Sequence, residues 1–345
     1  MNTQWIIQTH GDPLGTVRRF VYTLWQQAAL DGMLVTTNDS GDESLAQPLL
    51  IDDPAQLEGF NPFKPLMTVN AARLVPELVK QNPQGRLGGV LRPCEMRALN
   101  EMVKHNGFKL DGFTTISVDC LGTVPADEYR WRAARKESTG ELAQEALHFA
   151  RQGGILGYRY RSACQVCASP AAGEAEVNIN ILGLPVRQFI LVQSRNSDIA
   201  ERLQLQNLTD GAASPEIIQQ HAHILDKTRE RHRNTMQRVA HGLGDSLPQD
   251  LDALIDRLES CGDCQVCMNV CPICTVDTPR RNESGHYQRG DVLRWMISCA
   301  GCGMCEQACK DRLPLSTIFG HIRSILADEF GYSAGRSADE PLPLA

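Results

Sequence analysis

"GRLGGVLRPCEMRALNEMVKHNGFKLDGFTTISVDC" occupies residues 85–120. Residues 85–91 form a short apolar run of strand length, residues 93–105 read as a helix, and residues 113–119 read as a second strand. Strand, helix and strand at such short intervals predict an α/β sheet with helices packed over it. Pro93 suits the first turn of the helix, which places Cys94 at the helix N-terminus, where a thiol is readied as a thiolate. Cys120 closes the second strand.

The same alternation extends on both sides. Residues 12–30 carry Val17, Phe20, Val21, Leu24 and Trp25 at helical spacing, and residues 33–37 ("MLVTT") read as a strand. Residues 70–81 ("NAARLVPELVKQ") are helical, with Pro76 as a kink or break. "EVNINILG" (176–183) and "RQFILVQS" (187–194) read as further strands. Residues 214–244 predict one long helix, capped by Ser214, opened by Pro215 and stopped by Gly242. Its Lys227, Arg229, Arg231, Arg233 and Arg238 suit a solvated connector or a docking surface for an acidic partner. "YRWRAARK" (129–136) offers the same choice. His221 and His223 are two residues apart, so they do not share a helix face and do not read as a metal pair.

Composition narrows the class. The 345 residues are 42% hydrophobic and 22% charged, and the net charge of −7 gives no pull toward nucleic acid or anionic lipid. No apolar run approaches the roughly 20 residues of a membrane span. The start has no basic stretch followed by an apolar one, so the sequence predicts no signal peptide and a cytoplasmic protein. Thiols stay reduced there, so thirteen cysteines point to metal ligation rather than disulfides.

Nine of the thirteen sit in two runs, "CGDCQVCMNVCPIC" (261–274) and "CAGCGMCEQAC" (299–309). Cys261, Cys264, Cys267 and Cys271 follow C-x2-C-x2-C-x3-C, with Pro272 next, which is the bacterial ferredoxin spacing. Cys299, Cys302, Cys305 and Cys309 repeat it, with Lys310 in the proline position. Three thiolates two residues apart on a curled loop can reach three irons of one cubane, while the fourth points to its neighbour. Cys261, Cys264, Cys267 and Cys309 are therefore expected to hold one 4Fe-4S cluster, and Cys299, Cys302, Cys305 and Cys271 a second. Met268, Val270, Ile273 and Met304 would shield the sulfurs. Zinc is the rival, but its knuckles usually come as two separated CxxC pairs. Cys274 is left as a buried spare thiol.

Cys164 and Cys167 in "YRYRSACQVCASP" form a lone CxxC, which suits a redox dithiol, half a zinc site or half an iron–sulfur site. With Cys94 and Cys120 they make a four-ligand set numerically possible. The alternative is that Cys94 and Cys120 are small core residues.

"LRPCEMRAL", "SVDCLG" and "YRYRSACQVC", in that order, resemble the beta-subunit family of the coenzyme F-420 (deazaflavin) reducing hydrogenase and formate dehydrogenase, over about residues 65–200. The two-cluster module extends the resemblance to about residue 328. It implies an α/β (α+β) domain over residues 1–210, a helical connector over 211–258, a two-cluster ferredoxin-like domain over 259–328 and a flexible tail over 329–345. It further implies a third 4Fe-4S cluster on Cys94, Cys120, Cys164 and Cys167, and FAD near Arg92 and Glu95. Glu176, Val177 and Asn178 and the form of "SVDCLGTV" depart from the family pattern. The implied role is an electron-transfer subunit. Its catalytic partner would be a molybdopterin formate dehydrogenase alpha subunit or a hydrogenase, and a soluble molecule would accept the electrons. No Ser-His-Asp arrangement, Walker loop or HExxH motif supports hydrolysis or phosphoryl transfer.

Overall fold

In the computed structural model, residues 3–37, 46–136, 138, 140–152, 160–242, 253, 264–285 and 287–343 are described. Their centre is a mixed eight-stranded sheet of order β3-β2-β4-β5-β6-β7-β1-β8. The strands are β1 (Gln4–Gln8), β2 (Gly32–Thr37), β3 (Gln47–Ile51), β4 (Leu87–Leu91), β5 (Phe113–Val118), β6 (Val177–Asn180), β7 (Phe189–Ser194) and β8 (Gly211–Ala212). β2, β4, β5 and β6 run parallel, and the remaining strands add antiparallel edges on both sides. The expected strand–helix–strand unit is β4, α3 (Pro93–Asn106) and β5, with Leu91 in register with Ser117. The α/β expectation therefore holds.

Alternation along the strands builds a core on each face. Val35, Val90, Ile116 and Val118 face a core roofed by α1 (Pro13–Gln27), whose Val17, Phe20, Leu24 and Trp25 are buried there. Leu34, Leu87, Leu91 and Phe113 face the opposite core, which α3 covers with Met96, Leu99 and Met102. Gly89 makes room for this packing: a Cβ there would lie 2.8 Å from the Phe113 ring. Asp12 caps α1 by accepting from the Gly15 amide. Pro76 is the second residue of α2 (Val75–Gln81), after a 3-10 turn over Ala71–Leu74, so it opens a helix at the expected break. β1 and β3 went unread because each is only five residues long and pairs with strands far along the chain or across a loop.

Between β5 and β6 lie α4 (Ala126–Ala133), α5 (Gly140–His148) and α6 (Ser162–Gln165); α7 (Ser197–Arg202) follows β7. The long helix is α8 (Pro215–Gly242). It is more than a solvated connector: Leu225 is buried in the α1-side core, and His221 Nδ1 lies 2.7 Å from the Leu182 carbonyl. Lys227, Arg229, Arg233 and Arg238 form its exposed face, with Arg231 half-buried. Most of the connector beyond it lies outside the described residues.

The cysteine-rich segment contains α9 (Val266–Asn269), α10 (Arg289–Ile297), α11 (Met304–Ala308) and α12 (Leu315–Phe330). Met268, Trp295, Met296, Phe319 and Ile322 join the same core as α3, so the segment packs as an extra layer on that face of the sheet. The tail after residue 328, expected to be loose, lies against α3. Tyr332 donates to the Glu101 carboxylate at 2.7 Å, the Gly335 amide donates to it at 2.6 Å, and Asn100 Nδ2 donates to the Gly335 carbonyl.

Candidate metal centres

The parallel strands position the upstream cysteines. β4 and β5 are neighbours in register, so the turns after their C-terminal ends lie side by side, where α/β sheets hold ligands. Cys94 sits in the first turn of α3 beyond β4, and Cys120 lies two residues beyond β5. The loop carrying α6 folds back onto this edge. The Cys120 amide donates to the Pro170 carbonyl at 2.8 Å, and the Arg161 amide donates to the Thr123 carbonyl at 3.0 Å. Gly122 (φ 92°) permits the close pass, since a Cβ there would meet the Tyr160 ring at 2.9 Å. Cys94, Cys120, Cys164 and Cys167 consequently line one cavity, whose wall also includes His232 of α8. The four thiols are half-buried, open to the cavity and enclosed behind.

The two ferredoxin-spaced runs fold as approximate repeats. Gln265 (φ 46°) precedes α9 and Gly303 (φ 68°) precedes α11, each in the left-handed region directly after the second cysteine of its run. The short helices α9 and α11 pack together. Cys264, Cys267 and Cys309 share a second cavity with Met268, Tyr287 and Trp295. Cys261, the fourth cysteine expected there, lies outside the described residues. Cys271 crosses to the other run: it acts electrostatically on both Cys302 and Cys305, which also feel Cys299. Met268, Ile273 and Met304 are buried as expected, and Val270 is half-buried.

Local chemistry separates ligand candidates from bystander. The Cys271 thiol is drawn down to about 6 by its hydrogen bond with Cys274, against the opposing effect of burial, with help from Trp295 Nε1 at 3.4 Å. Cys274 is pushed far up by the same contact and by burial. Burial pushes Cys302 up to about 11 and Cys94 well above the ordinary thiol value. Cys164 differs: although burial opposes it, the Arg161 guanidinium and Thr123 hold it below the ordinary value. All-sulfur sets of this kind suit soft metals, which deprotonate their thiols on binding, so the donor chemistry fits iron–sulfur groups. Among the described residues, no three His, Cys, Asp or Glu side chains are gathered around a single-ion site.

The upstream and downstream sets meet. Cys302 lines the same cavity as the four upstream cysteines. Gly303 is pressed against Ala163 of α6, where a Cβ would come within 2.3 Å of the Ala163 Cβ. Arg161 Nη1 donates to Gln307 at 3.0 Å, Ser162 donates to Glu306, and Arg97 Nε donates to the Ala300 carbonyl at 3.2 Å.

Three functional candidates escaped the cysteine count. Arg92 Nη1 approaches Cys120 Sγ at 3.9 Å, Arg161 Nη2 approaches Cys164 Sγ at 3.8 Å, and Arg97 Nη2 approaches Cys167 Sγ at 3.8 Å. Their signal was present in "RPCEMR" and "RSAC", where an arginine stands within three residues of a cysteine. Arg92 and Glu95, near which FAD was expected, line a small cavity with Phe60, Val90 and Cys120, and both make hydrogen bonds within the chain. Arg92 Nη2 donates to the Lys64 and Leu66 carbonyls at 2.8 and 2.9 Å. Buried Glu95 accepts from the Ala71 and Arg92 amides at 3.0 and 2.8 Å and so closes the start of α3.

No family model matches the chain. It is 23% identical over 289 residues to the F420-dependent formate dehydrogenase subunit beta of Methanocaldococcus jannaschii, covering 73% of this chain and 74% of that one. A shorter stretch of 93 residues, 26% of this chain, is 34% identical to the acetyl-CoA decarbonylase/synthase complex subunit alpha 1 of Methanosarcina mazei. The corresponding subunit of Methanosarcina acetivorans is 32% identical over 96 residues. The chain spans 11% of the length of each of these alpha subunits. A chain of the F420-reducing [NiFe] hydrogenase complex from Methanosarcina barkeri aligns with a TM-score of 0.47 at 9% identity, over 69% of this chain and 91% of that one. The beta-subunit resemblance carried by "LRPCEMRAL", "SVDCLG" and "YRYRSACQVC" is upheld by the match that runs along most of both sequences. No helix among the described residues is long and apolar enough to cross a membrane.

Proposed function

We propose that the chain is an iron–sulfur electron-transfer subunit of a redox enzyme complex, relaying electrons between a catalytic partner and an acceptor. The observation that carries this reading is the shared wall of the upstream cavity, where Cys302 stands beside Cys94, Cys120, Cys164 and Cys167. Two cysteine sets from opposite ends of the sequence are thereby brought within one protein layer of each other.

Cys261, Cys264, Cys267 and Cys309 would hold one 4Fe-4S cluster, Cys299, Cys302, Cys305 and Cys271 a second, and Cys94, Cys120, Cys164 and Cys167 a third. Such clusters supply one-electron redox chemistry when bound. The chain's own residues fix the spacing and exclude water. Met268 and Trp295 close one side of the Cys264 cavity, while Met304, buried beside Arg161, seals the junction between the middle and upstream sets. Cys264, exposed, marks one end of the row, and the sheet edge marks the other.

The relative named as a formate dehydrogenase subunit beta supports a formate dehydrogenase catalytic subunit as partner, with a hydrogenase second. The exposed basic face of α8 offers a surface for an acidic partner. A flavin-free relay is favoured by the internal commitments of Arg92 and Glu95, and no step is routed through FAD. The domain division at residues 210, 258 and 328 and a cytoplasmic location belong to the same reading.

The test is iron, acid-labile sulfide, zinc and released flavin per chain after anaerobic purification. About twelve irons support three clusters, at four per cluster. About eight irons remove the upstream cluster, and one flavin per chain restores the flavin-containing form. Zinc without iron overturns the reading.

A further inference from the structure

We propose that Arg92, Arg97 and Arg161 form a fixed cationic ring that makes the upstream four-cysteine centre the highest-potential site of the chain, and so its electron sink. This rests on the three-cluster reading above. The ring assigns a direction that the spacing of the cysteines does not.

Each guanidinium addresses a different sulfur: Arg92 that of Cys120, Arg161 that of Cys164 and Arg97 that of Cys167. Their other donors go to neutral groups, among them the Lys64, Ala300 and Ser169 carbonyls, Thr123 Oγ1 and Gln307 Oε1. Among the described residues no carboxylate forms an ion pair with any of the three. The nearby Glu95 carboxylate is turned to the Ala71 and Arg92 amides, and Asp119 accepts from the Ile181 and Leu182 amides. Glu95 attracts Arg92 and Arg161 and acts on Cys94, and Glu174 attracts Arg97, so the positive field is offset in part, but the guanidinium nitrogens themselves reach the Cys120, Cys164 and Cys167 sulfurs.

Guanidinium stays protonated at any working pH, so this field is permanent. A cluster bound by four thiolates is anionic, and reduction adds one more negative charge. Buried cations stabilise the reduced form more than the oxidised one, and the low local dielectric magnifies the difference. Net charge and hydrogen bonds to sulfur are established determinants of cluster potential.

The other two sites have less of this field. Near the middle set, Arg323 donates to the Cys299 carbonyl at 2.8 Å, Arg323 and Arg97 act on Cys299, and Arg97 and Arg161 act on Cys302, but among the described residues no guanidinium hydrogen-bonds a sulfur of this set, whereas three do so upstream. The cavity of Cys264, Cys267 and Cys309 has Asp311 in its wall and, among the described residues lining it, no arginine. Positive charge thus rises from the exposed Cys264 end toward the C-terminal ends of β4 and β5, where guanidiniums reach the sulfurs themselves. One electron leaving a reduced centre at the Cys264 end would reduce the middle one and then the upstream one, each step oxidising the donor by the same electron.

The experiment is an anaerobic redox titration of the full chain followed by electron paramagnetic resonance, with iron counted on the same samples. The signal lost in Cys164→Ser identifies the upstream centre. In the unmodified protein that signal should develop first as the potential is lowered. In Arg97→Gln and Arg161→Gln its reduced-to-oxidised ratio at fixed potential should fall about tenfold, a shift of about 59 mV for a one-electron couple. Arg97→Lys and Arg161→Lys, which keep the charge, should recover most of that shift. An upstream signal that develops last in the unmodified protein overturns the proposal, and so do Gln variants with an unmoved midpoint. If the Gln variants do not load iron, the order of reduction in the unmodified protein decides alone. About eight irons, with none lost in Cys164→Ser, defeats the three-cluster reading instead.

Discussion

The upstream cysteines come from three separate places between residues 94 and 167, whereas the downstream ones come from two compact runs with one spacing. In the downstream region local geometry does nearly all the work: a left-handed residue, a short helix and a two-residue step repeat in each run. In the upstream region a parallel sheet does it, by setting the ends of β4 and β5 side by side and folding α6 back onto them. One set can be read from spacing. The other exists only once the sheet has formed, so its assembly should depend on folding in a way the downstream sets do not share.

The sharpest way to break this comparison is to remove one ligand from each region. Cys164→Ser should lower iron by about four per chain, and Cys305→Ser should do the same, each leaving the other region's iron in place. Iron and sulfide analysis of the purified variants measures both. Loss of all iron in either variant would show that the regions assemble as a single unit.

Next in size is the contact that pins the tail across α3. Glu101 and Lys104 are buried as an ion pair at 2.8 Å, with side-chain exposures of 0% and 2%, and Tyr332 bridges them. Glu101→Gln leaves Lys104, among the described residues, with its hydrogen bond to Tyr332 and with Glu340 at 3.8 Å as its counter-charge. Breaking such a pair costs about 3 kcal/mol or more. Denaturant unfolding should report a lower midpoint, and limited proteolysis should cut first after Phe330. An intact tail with unchanged stability would mean that α12, not Glu101, joins the two regions.

How far the sequence can be read follows the same division. The β4–α3–β5 unit was legible because its pattern changes within 35 residues, and α1 and α8 because their apolar or capping signals are local. β1 was not, since "QWIIQ" is too short to signal a strand and its partner β7 lies more than 180 residues away. The grouping of Cys264 and Cys267 with Cys309 was legible from spacing, whereas that of Cys94 with Cys164 was suggested by family resemblance. The arginine ring was invisible as a ring, because guanidiniums at positions 92, 97 and 161 converge only after the loop closes. The ordered tail was hidden because its anchors are buried side chains on α3 and not residues of the tail's own pattern.

Smaller effects probe the junction. Gly303 sits at φ 68° with Ala163 pressed against it. Gly303→Gln combines the left-handed penalty of roughly 1–2 kcal/mol with an overpacking penalty of about 1–3 kcal/mol. A loss of about 2–5 kcal/mol in denaturant unfolding is expected, with disturbance of the upstream cavity. The companion change is the smallest and the most diagnostic. Gln265 holds the equivalent place in the first run at φ 46°, but it is exposed. Gln265→Gly relieves the left-handed strain while giving the unfolded chain more freedom, so the net gain should be about 0.5 kcal/mol. Iron content should not change. If Gln265→Gly instead destabilises the chain as much as Gly303→Gln, then the first run also leans on a neighbour at this position, and the difference between a locally built half and a docked half disappears. If the signs are opposite, the glycine of the second run is there for docking against α6, and the repeat has diverged at a position where it touches the sheet domain.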